Sequence, residues 1–172
     1  MDIQELFKMG MDREVPQLLD IPLMEGECLN IGAGNKHFDF ATSLDLPEWD
    51  ADSQQIPRAD ESVASIIAFH FLEHVREPVK LLQEFQRVLM PGGVVNIVVP
   101  YYSSAMAAQD LDHKHFFTEE TWKTLFRNPY YNKNRVEWKF EVKLNLIIGV
   151  VERNLCLMTQ LQKAKRGTWG AE

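Results

Sequence analysis

At 172 residues, 45% hydrophobic and 25% charged, the chain has the size and composition of one globular domain and is too short for two comfortable ones. A formal net charge of −7 works against a broad grip on a phosphate backbone, which needs clustered Lys and Arg. No apolar run approaches the roughly 18 residues of a membrane span. The two cysteines, Cys28 and Cys156, sit among apolar residues as free thiols do in a reducing cytoplasm, which is the expected location.

Residues 1–26 carry apolar positions at helical spacing (Ile3, Leu6, Phe7, Val15, Leu18, Leu19) and predict a helical segment packed on the domain. Their mixed charges contain no basic run leading into an apolar one, so no secretory signal is read there. The domain proper is expected over 27–162, and 163–172 is expected to be a flexible tail, with Lys163 to Arg166 a solvated basic end.

Within the domain, apolar runs at Cys28 to Ile31, Ala41 to Leu46, Val63 to Phe69 and Val94 to Val99 suit strands buried on both faces of a parallel sheet. Glu77 to Met90 places Val79, Leu82, Phe85 and Leu89 on one helical face, with Pro78 in the first turn and Pro91-Gly92 as the stop. Strand, helix, strand implies a right-handed parallel crossover, and the class is α/β. Val136 to Leu146 alternates apolar and polar residues, which predicts a half-exposed antiparallel strand at the sheet edge. Residues 150–162 fit a last helix through Val151, Leu155, Met158 and Leu161, or a final strand; the helix is preferred.

Gly32 and Gly34, directly after the first strand, allow bare backbone to approach a ligand. Asp45 ends the second run, where an open α/β sheet presents a carboxylate to the two hydroxyls of a ribose. Asp52, followed by Ser53, stands in the next loop, where a carboxylate can accept from an exocyclic amine.

From Leu29 to about Phe126 the chain resembles a class I S-adenosylmethionine-dependent methyltransferase of the small "methyltransferase type 11" kind. The matching segments run in family order: LNIGAGN (29–35), SLD (43–45), ADSQQIPRADESVASI (51–66), FHFLEHV (69–75), FQRVLMPGG (85–93), VNIVVP (95–100) and DLDHKHFFTEET (110–121). The resemblance implies a Rossmann-like fold, with a mainly parallel central sheet and an antiparallel C-terminal edge, and S-adenosyl-L-methionine as cofactor. It also implies Gly32, Ala33 and Gly34 at the methionine end and Asp45 with Leu46 at the ribose. Asp52 with the backbone of Ser53 would then read the adenine edge, and Phe69 and His70 would border the cofactor. Two departures stand out: Lys36 replaces a usual glycine, and only eleven positions separate Gly34 from Asp45. The first crossover helix is therefore expected to be shortened or absent.

A sulfonium already activates its methyl group, so such an enzyme mainly aligns acceptor, carbon and sulfur in one line. Imidazole is the natural group to remove a proton near neutral pH. His70, at the end of a central strand, and His113, in the segment after the last one, are the candidate catalytic residues; Tyr101 and Tyr102 are candidates to line the acceptor pocket. Glu73 and His74 are expected to cap or orient the following helix. The stretch HFLEH (70–74) also matches H-x-x-E-H, a zinc-peptidase pattern. Because His70 ends a strand, the helical spacing that this pattern needs is lost, and neither it nor the His113, His115, Asp110, Asp112 group is read as a metal site. The Ala68-Phe69-His70-Phe71 segment lacks the motif of amino methylation on nucleobases. A small-molecule or sugar-like acceptor is favoured over nucleic acid, with a non-catalytic cofactor-binding or interaction module as the alternative.

Overall fold

The computed structural model describes residues 25–127, 136–149 and 154–167. Among these residues, six strands form one sheet: β1 (Glu27–Ile31), β2 (Thr42–Leu44), β3 (Val63–Phe69), β4 (Leu89–Pro100), β5 (Phe140–Ile148) and β6 (Cys156–Lys163). Helices α1 (Pro78–Val88), α2 (Ala105–Gln109) and α3 (Glu120–Arg127) join or flank them. The strand order is β2-β1-β3-β4-β6-β5. β1 to β4 pair in parallel, while β6 runs antiparallel to β4 and β5 antiparallel to β6. This is the α/β architecture with an antiparallel C-terminal edge that the hydrophobic pattern predicts. No helix among the described residues is long and apolar enough to cross a membrane.

β3 is buried from Val63 to Ala68 because both faces of the sheet's centre are covered. On one face, Leu29, Ile31, Ile66, Ile97 and Leu157 form the main core with Leu81, Leu82 and Phe85 of α1 and Trp122 of α3. On the other, Val98, Ile148, Cys156 and Met158 form a smaller cluster against which Phe69 and Leu144 pack. α1 begins with Pro78 and ends at Val88, two residues before the expected Met90. Leu89 is already extended (φ −66°, ψ 135°), and Met90 precedes a proline, which disfavours helical backbone there.

Three expectations at the C-terminal side change. Residues 156–163 form a strand and not a helix, because both edges of this segment are taken up by ladder pairing to β4 and β5; pairing on two sides outweighs a weak helical period. The alternation along β5 breaks where its register with β6 shifts between Val142 and Leu144. Such a bulge inverts the side-chain phase: Phe140 enters the main core, Leu144 and Ile148 pack on the opposite face, and Val142 is left 40% exposed. Lys163, assigned to the tail, ends β6 and is buried. Its ammonium donates to Leu89 O at 2.7 Å and lies 3.3 Å from Glu61 Oε1, while Arg166 ion-pairs the same Glu61. The expected N-terminal helical segment falls, through residue 24, outside the described residues.

Candidate functional site

β2 lies on one side of β1 and β3 on the other. The chain therefore reverses its winding direction between β1 and β3, and in open α/β sheets ligands bind outside the strand carboxyl ends at such a point. Three loops meet there: the one after β1, the one after β2, and the turn after β3.

Between β1 and β2 no helix forms, so the first crossover is a loop held by specific hydrogen bonds. Asn30 Nδ2 donates to Lys36 O at 2.7 Å and Lys36 N–H to Ala33 O at 2.7 Å. Gly32 and Gly34 take φ of +68° and +50°, a region where other residues are strained. They differ in surroundings. A Cβ on Gly32 would stand 2.0 Å from Phe71 Cδ2, whereas one on Gly34 would meet nothing within 4 Å. The close approach at Gly32 is thus made by the Phe71 ring, and the open space lies at Gly34.

Asp45 follows β2. Its Oδ2 accepts from Gly34 N–H at 2.6 Å and its Oδ1 from Leu46 N–H at 2.8 Å. A carboxylate has about four lone-pair sites, so each oxygen keeps one for a ligand while the backbone fixes its direction. Asp52 is more heavily used: Oδ1 accepts from Arg76 N–H at 2.7 Å and Oδ2 lies 3.6 Å from Arg76 Nε. Ser53 turns toward Asp50, donating through its hydroxyl at 2.7 Å and its N–H at 3.3 Å. That hydroxyl, followed by the Asp52 N–H, holds the Asp50 carboxyl below its usual range.

The turn after β3 begins with His70 at φ +52°, whose N–H donates to Val98 O at 2.7 Å. His70 Nε2 lies 4.0 Å from Cys156 Sγ and Nδ1 3.4 Å from Glu73 Oε1. Burial, with a smaller push from the Glu73 charge, raises the Cys156 thiol to about 12, so this sulfur is a neutral neighbour and not a ready nucleophile. Glu73 and His74 do not cap α1, whose N-terminal Glu77 makes no side-chain cap bond. The segment after α2 is stitched to this turn: Lys114 N–H donates to Glu73 O at 2.7 Å, Lys114 Nζ donates to His74 O, and His115 Nε2 lies 3.3 Å from Arg76 O.

These loops enclose a cleft of about 350 Å³ lined by Asp45, Leu46, Trp49, Asp50, Ala51, Asp52, Phe71, His74, Val75, Asp112 and Lys114. Of the residues expected at a cofactor, Asp45, Leu46 and Asp52 line it together. Ser53 and His70 do not line it, Gly34 hydrogen-bonds to Asp45 at its rim, Ala33 is buried, and Phe69 packs on the opposite face of the sheet. Tyr101 turns away, donating to Glu119 Oε2 at 2.8 Å, which raises its hydroxyl to about 12. Phe71, His74, Asp112 and Lys114 were not assigned to the cofactor from the sequence, although they lie in the FHFLEHV and DLDHKHFFTEET segments; the stitching of 113–115 to 73–76 brings Asp112 and Lys114 to the cleft. Two larger clefts, of about 490 and 450 Å³, lie over α1 and α3 and between α3 and β5. Neither reaches the carboxyl end of β1, β2 or β3, so neither competes for this chemistry.

Residues 46–97 match the family model described as "Methyltransferase domain". The human thiol S-methyltransferase TMT1B is 32% identical over 117 residues, which cover 61% of this chain and 46% of that protein. By these matches the chain is similar to the class I S-adenosylmethionine-dependent methyltransferases. The matched region spans a little under half the length of the human relative. In fold the chain is similar to a Bacillus halodurans protein solved as a candidate methyltransferase, at TM-score 0.63 and 15% identity, over 91% of this chain and 100% of that one. An S-adenosylmethionine-dependent methyltransferase from Mesorhizobium loti gives TM-score 0.60 and 15% identity, over 87% and 97% of the two chains. S-adenosyl-L-methionine is the cofactor that these matches imply. The residues present fit it: Asp45 has spare lone pairs at the cleft for a ribose, and the space beside Gly34 is open for the methionine end.

Proposed function

We propose that this chain transfers a methyl group from S-adenosyl-L-methionine to a small acceptor. The observation that carries this reading is Asp45, aimed by Gly34 N–H and Leu46 N–H into the cleft at the point where the sheet reverses. Asp45 holds the ribose hydroxyls, and Gly34 leaves room for the methionine end. Asp52, already anchored to Arg76, closes the adenine end with the one oxygen that has no backbone donor. When bound, the cofactor supplies a methyl group activated by a sulfonium. The chain's part is to align the acceptor and keep water out.

His70 and His113 flank Glu73 at the acceptor end, and His70 is the residue we assign to taking up an acceptor proton. The net charge of −7 favours an uncharged or cationic acceptor over a polyanion. Because the human relative is named a thiol S-methyltransferase, a small thiol is the first acceptor to assay, beside hydroxyl compounds.

Calorimetric titration with S-adenosylmethionine and S-adenosylhomocysteine tests the reading. Both are expected to bind, and Asp45→Ala is expected to weaken each by roughly 100-fold, the loss of two hydrogen bonds to a charged acceptor at about 1.5 kcal/mol each. No binding of either ligand would sink it. Binding without turnover on any acceptor would favour the non-catalytic module, a reading supported by the Phe71 ring seated on Gly32 and the missing crossover helix.

A further inference from the structure

Glu73 is 1% exposed, and neither of its carboxylate oxygens has a hydrogen-bond partner among the described residues. His70 Nδ1 approaches Oε1 to 3.4 Å, within ion-pair range but not aligned as a hydrogen bond. A buried carboxylate left this way is costly, and proteins compensate such groups with a cation or a metal. What faces Glu73 is a pair of imidazoles. Ligand atoms of Glu73, His74 and His113 all lie within 4.8 Å of one another, and the rings of His74 and His113 meet edge-on with centroids 4.7 Å apart.

The surroundings orient these groups. His113 Nδ1 lies 3.0 Å from Ala107 O, a carbonyl that can only accept, so Nδ1 carries the proton and Nε2 keeps its lone pair. Asp110 Oδ2 stands 3.8 Å from that Nε2, close enough to add negative charge. The Lys114 N–H to Glu73 O hydrogen bond fixes the two segments against each other, so the cluster needs no large rearrangement to close.

We infer that Glu73, His74 and His113 form a divalent-cation site of the zinc type beside the cofactor cleft. Two imidazoles and one carboxylate are the donor set that leaves a coordination position open for a substrate. This is not the arrangement that H-x-x-E-H describes, in which both histidines of the motif ligate and the glutamate activates water. Here the last two residues of HFLEH combine with a histidine about forty positions on, and His70 remains with Cys156 and the edge of Glu73.

The site stands independently of the reaction, but its role rests on the methyltransferase reading. His74 also lines the cleft, so the open position borders it. An acceptor hydroxyl or thiol held there gives up its proton to His70, the residue assigned to taking it up. Its freed lone pair then forms the bond to the methyl carbon, as the carbon–sulfur pair stays on sulfur.

Zn2+ and Mn2+ are titrated into the metal-stripped full chain as wild type, Glu73→Gln and His113→Ala, with urea unfolding and S-adenosylmethionine binding measured on each. One equivalent is expected to bind the wild type, and each variant is expected to weaken it by about tenfold or more, with cofactor affinity kept. His113→Ala, in a loop, guards against loss of fold in the buried Glu73 variant. Failure of both ions to bind the wild type, or wild-type affinity kept in both variants, overturns the site. Cofactor binding without cation binding discards the site alone, and cation binding without cofactor binding keeps the site and discards its role in methyl transfer.

Discussion

Placing a methyl group on Gly32 tests the packing at the centre of the site. The new Cβ would lie 2.0 Å from Phe71 Cδ2, 2.3 Å from Cγ and 2.8 Å from Cβ, all inside any normal contact. The last distance matters most, because Phe71 Cβ cannot swing away by a rotamer change, and the neighbouring His70 N–H is tied to Val98 O. Left-handed backbone for alanine costs about 1–2 kcal/mol and overpacking about 1–3 kcal/mol, so Gly32→Ala is expected to destabilise by about 2–5 kcal/mol. Gly34→Ala carries the same backbone strain with open space around it, and should cost only about 1–2 kcal/mol. Urea midpoints at unchanged slope measure both. In a Phe71→Ala background, which removes the ring but keeps Cβ, the excess at Gly32 should shrink without vanishing, a coupling of about 0.5–3 kcal/mol. Equal costs for the two glycines, or no coupling to Phe71, would refute the packing argument.

Arg87 donates to the backbone carbonyls of Ile56 and Arg58 and to the carboxylates of Glu84 and Asp60, so Arg87→Ala should cost about 2–4 kcal/mol by chemical denaturation; under 1 kcal/mol would mean that the 56–60 loop holds itself. Lys163→Met, which keeps the apolar stem but removes the bonds to Leu89 O and Glu61, should cost about 1–3 kcal/mol, and no change would restore the solvated-tail reading. Burial, aided by the Glu27 charge, pushes the Cys28 thiol from 9.0 up to about 11. The folded state therefore holds this proton more tightly than the unfolded one. That contribution to stability is whole below about pH 9 and lost as pH rises through about 11. Unfolding midpoints measured across this window should fall less for Cys28→Ala than for the wild type, and parallel curves would contradict the assignment.

The parallel half of the sheet was legible in the sequence because its signals are local. VASIIAF is buried on both faces wherever it sits in a parallel sheet, Pro78 starts a helix, and the ten residues between Gly34 and Asp45 leave no length for a crossover helix. Asp45 was legible for the same reason, since the end of the second strand is an address along the chain. The antiparallel half was less so. Whether residues 156–163 became strand or helix depended on two ladders from β4 and β5, and which face each β5 residue took depended on one bulge. Lys163 reads as tail until Leu89 O and Glu61 are placed beside it.

HFLEH shows the division most clearly. Its spacing alone suggested a zinc site on one helix, and the strand before it argued that His70 and His74 would not converge. Both inferences come from neighbours in sequence. That the Glu73 carboxylate is buried without a hydrogen-bond partner among the described residues, and that His113 arrives beside it and His74, follows from the segment 113–115 being hydrogen-bonded across to 73–76. Sequence determines which groups can ligate; only long-range packing decides which of them meet, because contact between residues forty apart is fixed by the shape of the whole domain.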